Sequence, residues 1–184
     1  MSTFLQLFID RVPSPLGTIV LVCDGDGRLR ALDFDTHETR LKRLLGRHYG
    51  EGRFTLVTAP APRIRTALDA FFAGELGALD AIAVQTGGTP FQRMVWAALR
   101  RIPAGTTTTY SRLANEIGQP AASRAVGLAN GANPIAIVVP CHRVIGADGL
   151  LTGYAGGVER KRWLLEHERK WSSGRTIPEL GLFA

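Results

Sequence analysis

Within IVVPCHRVIG, residues 137–146, an apolar run meets a proline and then a cysteine, a histidine and an arginine. A thiol becomes a useful nucleophile once a neighbouring basic or cationic group favours the thiolate over the free thiol, whose pKa lies near 8.5. Cys141 has His142 beside it for that purpose. Neighbours along an extended chain point to opposite sides, so the imidazole would reach the sulfur through a water. Burial as a small hydrophobe is the common fate of a cysteine, and it is the reading for Cys23 at the end of TIVLVC. For Cys141 the polar neighbours leave both packing and chemistry open.

A histidine that moves protons needs a third group to orient it. In GVERKRWLLEHERK, Glu168 stands four residues after Leu164 and three after Leu165, on the face those leucines bury, while Glu166 turns away. A carboxylate on a buried face requires a partner. The other reading, a solvated charge at a helix end, stays open on spacing alone.

These groups need a scaffold, and the two halves of the chain supply it differently. LFIDRV, TIVLVC and LRALDFD read as strands punctuated by SPLG and DGDG turns. THETRLKRLLGRHYG puts Leu41, Leu44 and Leu45 on one helical stripe behind a Thr36 cap. RIRTALDAFFAG reads as a second helix ended by Gly74, and DAIAVQ as a further short strand before TGGTP. The spacing predicts an α+β protein with an N-terminal α/β domain over 1–88, a mostly helical domain over 89–171 and a tail over 172–184. The apolar run NPIAIVVPC would bring Cys141 out at the end of a strand.

After Gly88 the pattern turns helical. Thr89 caps and Pro90 opens PFQRMVWAALRRI, and YSRLANEIG followed by QPAASRAVGLANGAN gives helix, glycine turn, helix. That is a helix-turn-helix pattern, which an ordinary helical hairpin shares. The second helix is unusual in its small residues: Ala121, Ala122, Ser123, Ala125, Gly127, Ala129 and Gly131 surround one long cation, Arg124. Such a helix suits the minor groove, about 6 Å wide, and equally suits tight helix packing. Charge separates the halves too. Residues 1–90 carry 10 Lys+Arg and 10 Asp+Glu, and residues 91–184 carry 12 and 6, so the second half holds the whole net +6 and is the half that would meet a polyanion. Arginine makes up 19 of the 22 cations, which fits phosphate recognition or a compositional bias alike.

With 184 residues, 45% of them hydrophobic, the chain can bury a real core. Two cysteines far apart offer neither a disulfide framework nor metal-ligand spacing, which leads to the expectation of a reduced, cytoplasmic protein without structural metal. MSTFLQLFID lacks a basic leader, and no apolar stretch approaches the roughly 20 residues of a membrane helix.

PCHRVIG, preceded by RAVGLANGANP and followed by GYAGG and WLLEHE, closely resembles the O6-alkylguanine-DNA alkyltransferases, also called methylated-DNA protein-cysteine methyltransferases. GGTPFQRMVW, TTYSRLA and the small preceding domain look like their constitutive bacterial members, so the resemblance runs from Phe4 to about Lys170. It implies a ribonuclease H-like first domain and a winged-helix-like second one. It also implies Cys141 as alkyl acceptor, His142 as the base that relays its proton through water, and Glu168 as the carboxylate that polarises His142. Asn133 would tie the turn before the active-site segment, with Pro134 beside it. Tyr110 would be the phenol near the flipped nucleotide that protonates the departing guanine, and Arg124 the arginine that replaces the extruded base. Ala122, Ser123, Ala125, Gly127 and Gly131 would face the DNA, and Tyr154, Pro140 and Val144 would line the alkylguanine pocket. Ala155, where some relatives carry a hydroxyl residue, and Leu128, within the recognition helix, depart from the pattern and bear on substrate range. The zinc site of some relatives has no counterpart here.

The resemblance implies a direct, single transfer from guanine O6 in duplex DNA to Cys141, with nucleotide flipping and no cofactor. O4-alkylthymine stays open as a second substrate. The partner would be double-stranded DNA with alkylated bases, met by a monomer, cooperative assembly on DNA being open, with no membrane and no obligate protein partner. Two other classes remain. A cysteine hydrolase would use the same groups but release product repeatedly, and gives no reason for Arg124 or the charge split. A non-catalytic lesion sensor would not need Cys141.

Overall fold

A computed structural model describes residues 4–172, and the proposed tail therefore lies, beyond Ser172, outside the described residues. The chain divides into two compact units, Met1–Gly88 with Pro134–Val138, and Thr89–Asn133 with Val139–Ala184.

In the first unit, β1 (Leu5–Val12), β2 (Ile19–Asp24) and β3 (Leu29–Phe34) form an antiparallel meander, and β4 (Phe54–Thr58) adds parallel to β1, giving the order β3-β2-β1-β4. Every residue of β2 and β3 is buried, as expected of strands covered on both faces. Leu7, Ile9, Val20, Val22 and Ala31 share one face, where Leu41 and Leu45 of α1 (Glu38–Tyr49) complete the cluster. That is the leucine stripe read in the sequence. The helix α2 (Pro62–Phe72) starts on proline and buries Ile64, Leu68 and Phe71. Asp10 fastens it by accepting from the Ala61 amide at 2.9 Å and from Arg65 Nε at 2.6 Å.

Three local expectations are corrected. Thr36 does not cap α1: Asp35–His37 form a 3-10 turn, His37 is the residue that precedes the helix, and the Thr36 hydroxyl pairs with His37 Nδ1 at 2.9 Å. DAIAVQ is a single bridge at Val84, because Asp80 and Ile82 donate back to Gly77 and Leu79 and so spend half the segment on turns. The run before Cys141 is not a strand either. Its first residues bridge to β3, where the Leu32 amide donates to Pro134 O at 2.9 Å and the Ala136 amide to Leu32 O at 2.8 Å. The chain then bends at Ile137, whose φ is 67°. Left-handed backbone at a β-branched residue costs on the order of 1–3 kcal/mol and persists only where its surroundings enforce it. Here those surroundings are the bridge to β3 on one side and a series of tight turns on the other, with the Ile137 side chain buried.

The second unit opens on α3 (Pro90–Leu99), with the Thr89–Gln92 capping box in place. Residues Thr108–Thr109 (β5) pair in parallel with Val144–Ile145 (β6), and α4 (Tyr110–Glu116) follows β5 directly, capped by Thr109. A turn through Gly118, at φ 71°, leads by the 3-10 turn Pro120–Ala122 to α5 (Ser123–Gly131). Trp96 of α3 donates its indole N–H to Ala129 O at 2.8 Å, fixing α5 against α3. The last helix is α6 (Val158–Trp171). No helix among the described residues is long and apolar enough to cross a membrane.

Candidate active site

Cys141 begins a 3-10 turn, Cys141–Arg143, that follows Pro140. Its amide donates to Val139 O at 2.8 Å and its carbonyl accepts from the Val144 amide, so the backbone at the sulfur is fixed on both sides. Two buried amides on either side of the α5 end reinforce this. Asn133 Nδ2 donates to Val139 O at 2.8 Å, and Asn130 Nδ2 donates to Cys141 O at 3.4 Å. Asn133 thus closes the excursion of residues 134–138, which begins and ends within reach of one side chain. The thiol is 5% exposed and forms no disulfide.

His142 and Glu168 are fully buried, and Nε2 of the imidazole lies 2.9 Å from Glu168 Oε1. The carboxylate can only accept, so Nε2 carries the proton and Nδ1, which has no hydrogen-bond partner among the described residues, is the basic nitrogen. Glu168 also takes the guanidinium of Arg143, with Nε at 3.0 Å from Oε2 and Nη2 at 2.8 Å from Oε1, and the Gly105 amide at 3.1 Å. Burial, the largest influence, pushes His142 below its ordinary value against the pull of Glu168, leaving a neutral imidazole at pH 7. Burial would raise the Glu168 carboxyl, but His142 and Arg143 outweigh it and hold it down at about 2. With His142 neutral, the charge in that balance is Arg143's, and His142 contributes its N–H.

Lys161 joins them from α6. Fully buried, it donates from Nζ to Val144 O at 2.6 Å and to Thr152 O at 2.9 Å. Burial pushes the ammonium down to about 8, and the charge of Cys141 works against that shift. The cation and a thiolate at Cys141 therefore stabilise each other. Sequence reasoning named neither Arg143 nor Lys161. Signals existed for both: Arg143 sits inside PCHR, and Lys161 continues the stripe Leu164, Leu165, Glu168 one turn earlier.

The remaining candidates fall into two groups. Around the cysteine turn, Pro140, Val144 and Tyr154 are buried, and the Tyr154 ring meets the His142 ring edge-on at 6.5 Å. Tyr110, the first residue of α4, places its hydroxyl 3.1 Å from Thr152 Oγ1. On α5, Arg124, Ala125 and Gly131 are exposed, and Ala122 (just before it), Ser123 and Gly127 are partly so, while Val126, Ala129 and Asn130 point inward. A Cβ at Gly127 would sit 3.7 Å from the Tyr110 ring, so the helix and the phenol run close together. Leu128 is 72% exposed on the same outer face.

A catalogued protein domain described as "6-O-methylguanine DNA methyltransferase, DNA binding domain" matches residues 90–170. The methylated-DNA–protein-cysteine methyltransferase of Salmonella typhimurium is 52% identical over 165 residues, covering 89% of this chain and 96% of its own. A crystal structure of Mycobacterium tuberculosis OGT in complex with DNA superposes with a TM-score of 0.73 at 40% identity, over 91% of this chain and 94% of that one. The O6-methylguanine-DNA methyltransferase of Pyrococcus kodakaraensis does so at 0.69 and 28%, over 88% and 98%. Matched over nearly the whole length of such relatives, at 52% identity to one of them and with a mixed α+β fold like that of the solved structures, the chain belongs to the methylated-DNA–protein-cysteine methyltransferase family.

Proposed function

We propose that the protein repairs duplex DNA by moving the alkyl group of O6-alkylguanine onto Cys141 Sγ, once per molecule. The observation that carries this is the cysteine turn backed by His142, whose Nε2–H is fixed by Glu168 and whose Nδ1 is left basic. The thiol proton passes through one water to Nδ1, and Glu168 stabilises the imidazolium that forms. Lys161 favours the thiolate. Sulfur attacks the alkyl carbon, the carbon–O6 bond breaks, its electron pair stays with guanine, and Tyr110 supplies the proton that guanine takes on leaving.

A stacked base is out of reach of a cysteine that is 5% exposed, so the nucleotide must be flipped, at a cost of a few kcal/mol. We read α4, the Gly118 turn and α5 as a helix-turn-helix of winged-helix type, with α5 in the minor groove and Arg124 filling the vacated stack. The exposed small face of α5 supports this, as does the net charge of the second half. Tyr154, Pro140 and Val144 wall the base pocket, and Asn133 holds the turn beneath it. The first unit is read as ribonuclease H-like and the protein as a monomer in solution.

Intact-mass analysis after incubation with duplex containing O6-methylguanine tests the reading. The expected result is a one-methyl increment on the peptide carrying Cys141, at one equivalent per protein. Repeated product release, or no adduct, overturns it, and the same assay with O4-methylthymine decides whether that lesion is also a substrate.

A further inference from the structure

We infer that Thr152 is a positioning residue for Tyr110, its hydroxyl holding the phenol at the pocket mouth and hydrogen-bonding to its oxygen while the proton leaves. This rests on the reading of Tyr110 as proton donor. The two hydroxyls lie 3.1 Å apart although 42 residues separate them in sequence. Neither residue is buried, so the contact is not forced by packing. The phenol ring runs beside Gly127, and the Thr152 hydroxyl fixes where its oxygen sits.

Thr152 is well placed to do so because its own backbone is pinned. Its carbonyl accepts from the buried Lys161 ammonium at 2.9 Å, and its amide donates to Leu150 O at 2.9 Å. The loop before it is a closed turn: the Gly146 amide donates to Leu150 O at 3.0 Å, the Gly149 amide to Gly146 O at 3.0 Å, and the Leu150 amide to Asp148 Oδ1 at 3.0 Å. The Thr152 methyl lies so close to Gly146 that a Cβ there would stand 3.3 Å from it. Lys161 bonds Val144 and Thr152 together, so one buried cation ties the strand after the cysteine turn to the residue that holds the phenol.

A threonine hydroxyl both accepts and donates. When Tyr110 passes its proton to the departing guanine, its oxygen gains negative charge, and the Thr152 O–H rotates to donate to it. Solvent later returns a proton to the phenolate. A hydrogen bond to a charged oxygen is stronger than one between neutral groups, so its benefit falls on the transfer step and not on DNA binding.

The test is single-turnover methyl transfer at saturating O6-methylguanine duplex. Thr152→Val, which keeps the shape and loses the hydroxyl, should slow transfer roughly tenfold with duplex affinity unchanged, and Thr152→Ser should restore it. In a Tyr110→Phe background the Thr152→Val loss should disappear, because no phenol oxygen remains to hold. A Thr152→Val rate equal to wild type overturns the inference, as does an equal loss with and without the phenol, which would make Thr152 a packing residue. A wild-type protein that transfers nothing overturns the parent reading and this one together, an outcome distinct from the other two.

Discussion

Replacing Glu168 by glutamine keeps the shape of the side chain and removes its charge from a fully buried position. Arg143 would then face an amide with a buried guanidinium, and His142 and the Gly105 amide would share a poorer acceptor. Removing one partner of a buried ion pair costs about 3–5 kcal/mol. Titration leads to a similar figure: a carboxyl lowered from 4.5 to about 2 contributes about 3 kcal/mol at neutral pH, at about 1.4 kcal/mol per pH unit. For a domain of this size about 3 kcal/mol corresponds to a melting temperature lower by ~6–12 °C. The folded pKa is the depressed one, so this stability is present above the unfolded value and is lost as pH falls towards the folded value. Melts of wild type and Glu168→Gln should therefore differ most at pH 6–7 and converge from about pH 5 down to about pH 2. A difference under about 2 °C at pH 7, or one that does not shrink with acid, would refute the assignment of Arg143 and Glu168 as a charged pair.

Cys141→Ala should abolish transfer while leaving duplex affinity nearly intact, as mass analysis and a binding titration will report; methyl uptake at Cys23 in that variant would contradict the assignment. Arg124→Ala should slow repair in duplex far more than transfer from a free alkylated base, since only the duplex needs its stack filled. Equal losses on both substrates would make Arg124 structural. Alkylated protein should melt below the unreacted form, increasingly from methyl to benzyl, because Cys141 is buried and overpacking typically costs about 1–3 kcal/mol. Unchanged melting after transfer would mean that the pocket accommodates its product.

What the sequence revealed depended on how locally each feature is encoded. The face of Glu168 was legible because a helical stripe of two leucines fixes it, although spacing alone left a solvated charge open, and the Thr89–Pro90 start of α3 was legible because a cap and its helix lie within four residues. Lys161 lay on the same stripe but reads as a surface cation until the carbonyls of Val144 and Thr152 are seen to receive it. β4 pairs with β1 across more than forty residues, and its FTLVT is short and half-exposed, with the apolar–polar alternation of Phe54, Thr55 and Leu56 broken at Val57. The bend at Ile137 was invisible for a related reason. IAIVV has every local mark of a strand, and only the distant bridge to Leu32 and the Asn133 amide turn it into a series of turns.

The bridge from Leu32 to Ile135 also sets the order in which this protein can be made. On the ribosome the first 88 residues emerge with the outer edge of β3 still lacking its partner at Leu32, which arrives some fifty residues later with Pro134–Val138. At about 5–20 residues per second, that interval lasts roughly 3–10 s. During it the part of that edge around Leu32, beyond the bridge from Leu29 to Val84, is open to other nascent chains. The segment that closes the edge is followed within three residues by Cys141, so completion of the first unit and the setting of the acceptor turn are one event in time. A message truncated between Gly88 and Val138 would therefore yield an unfinished sheet prone to aggregate, not an inert half-protein.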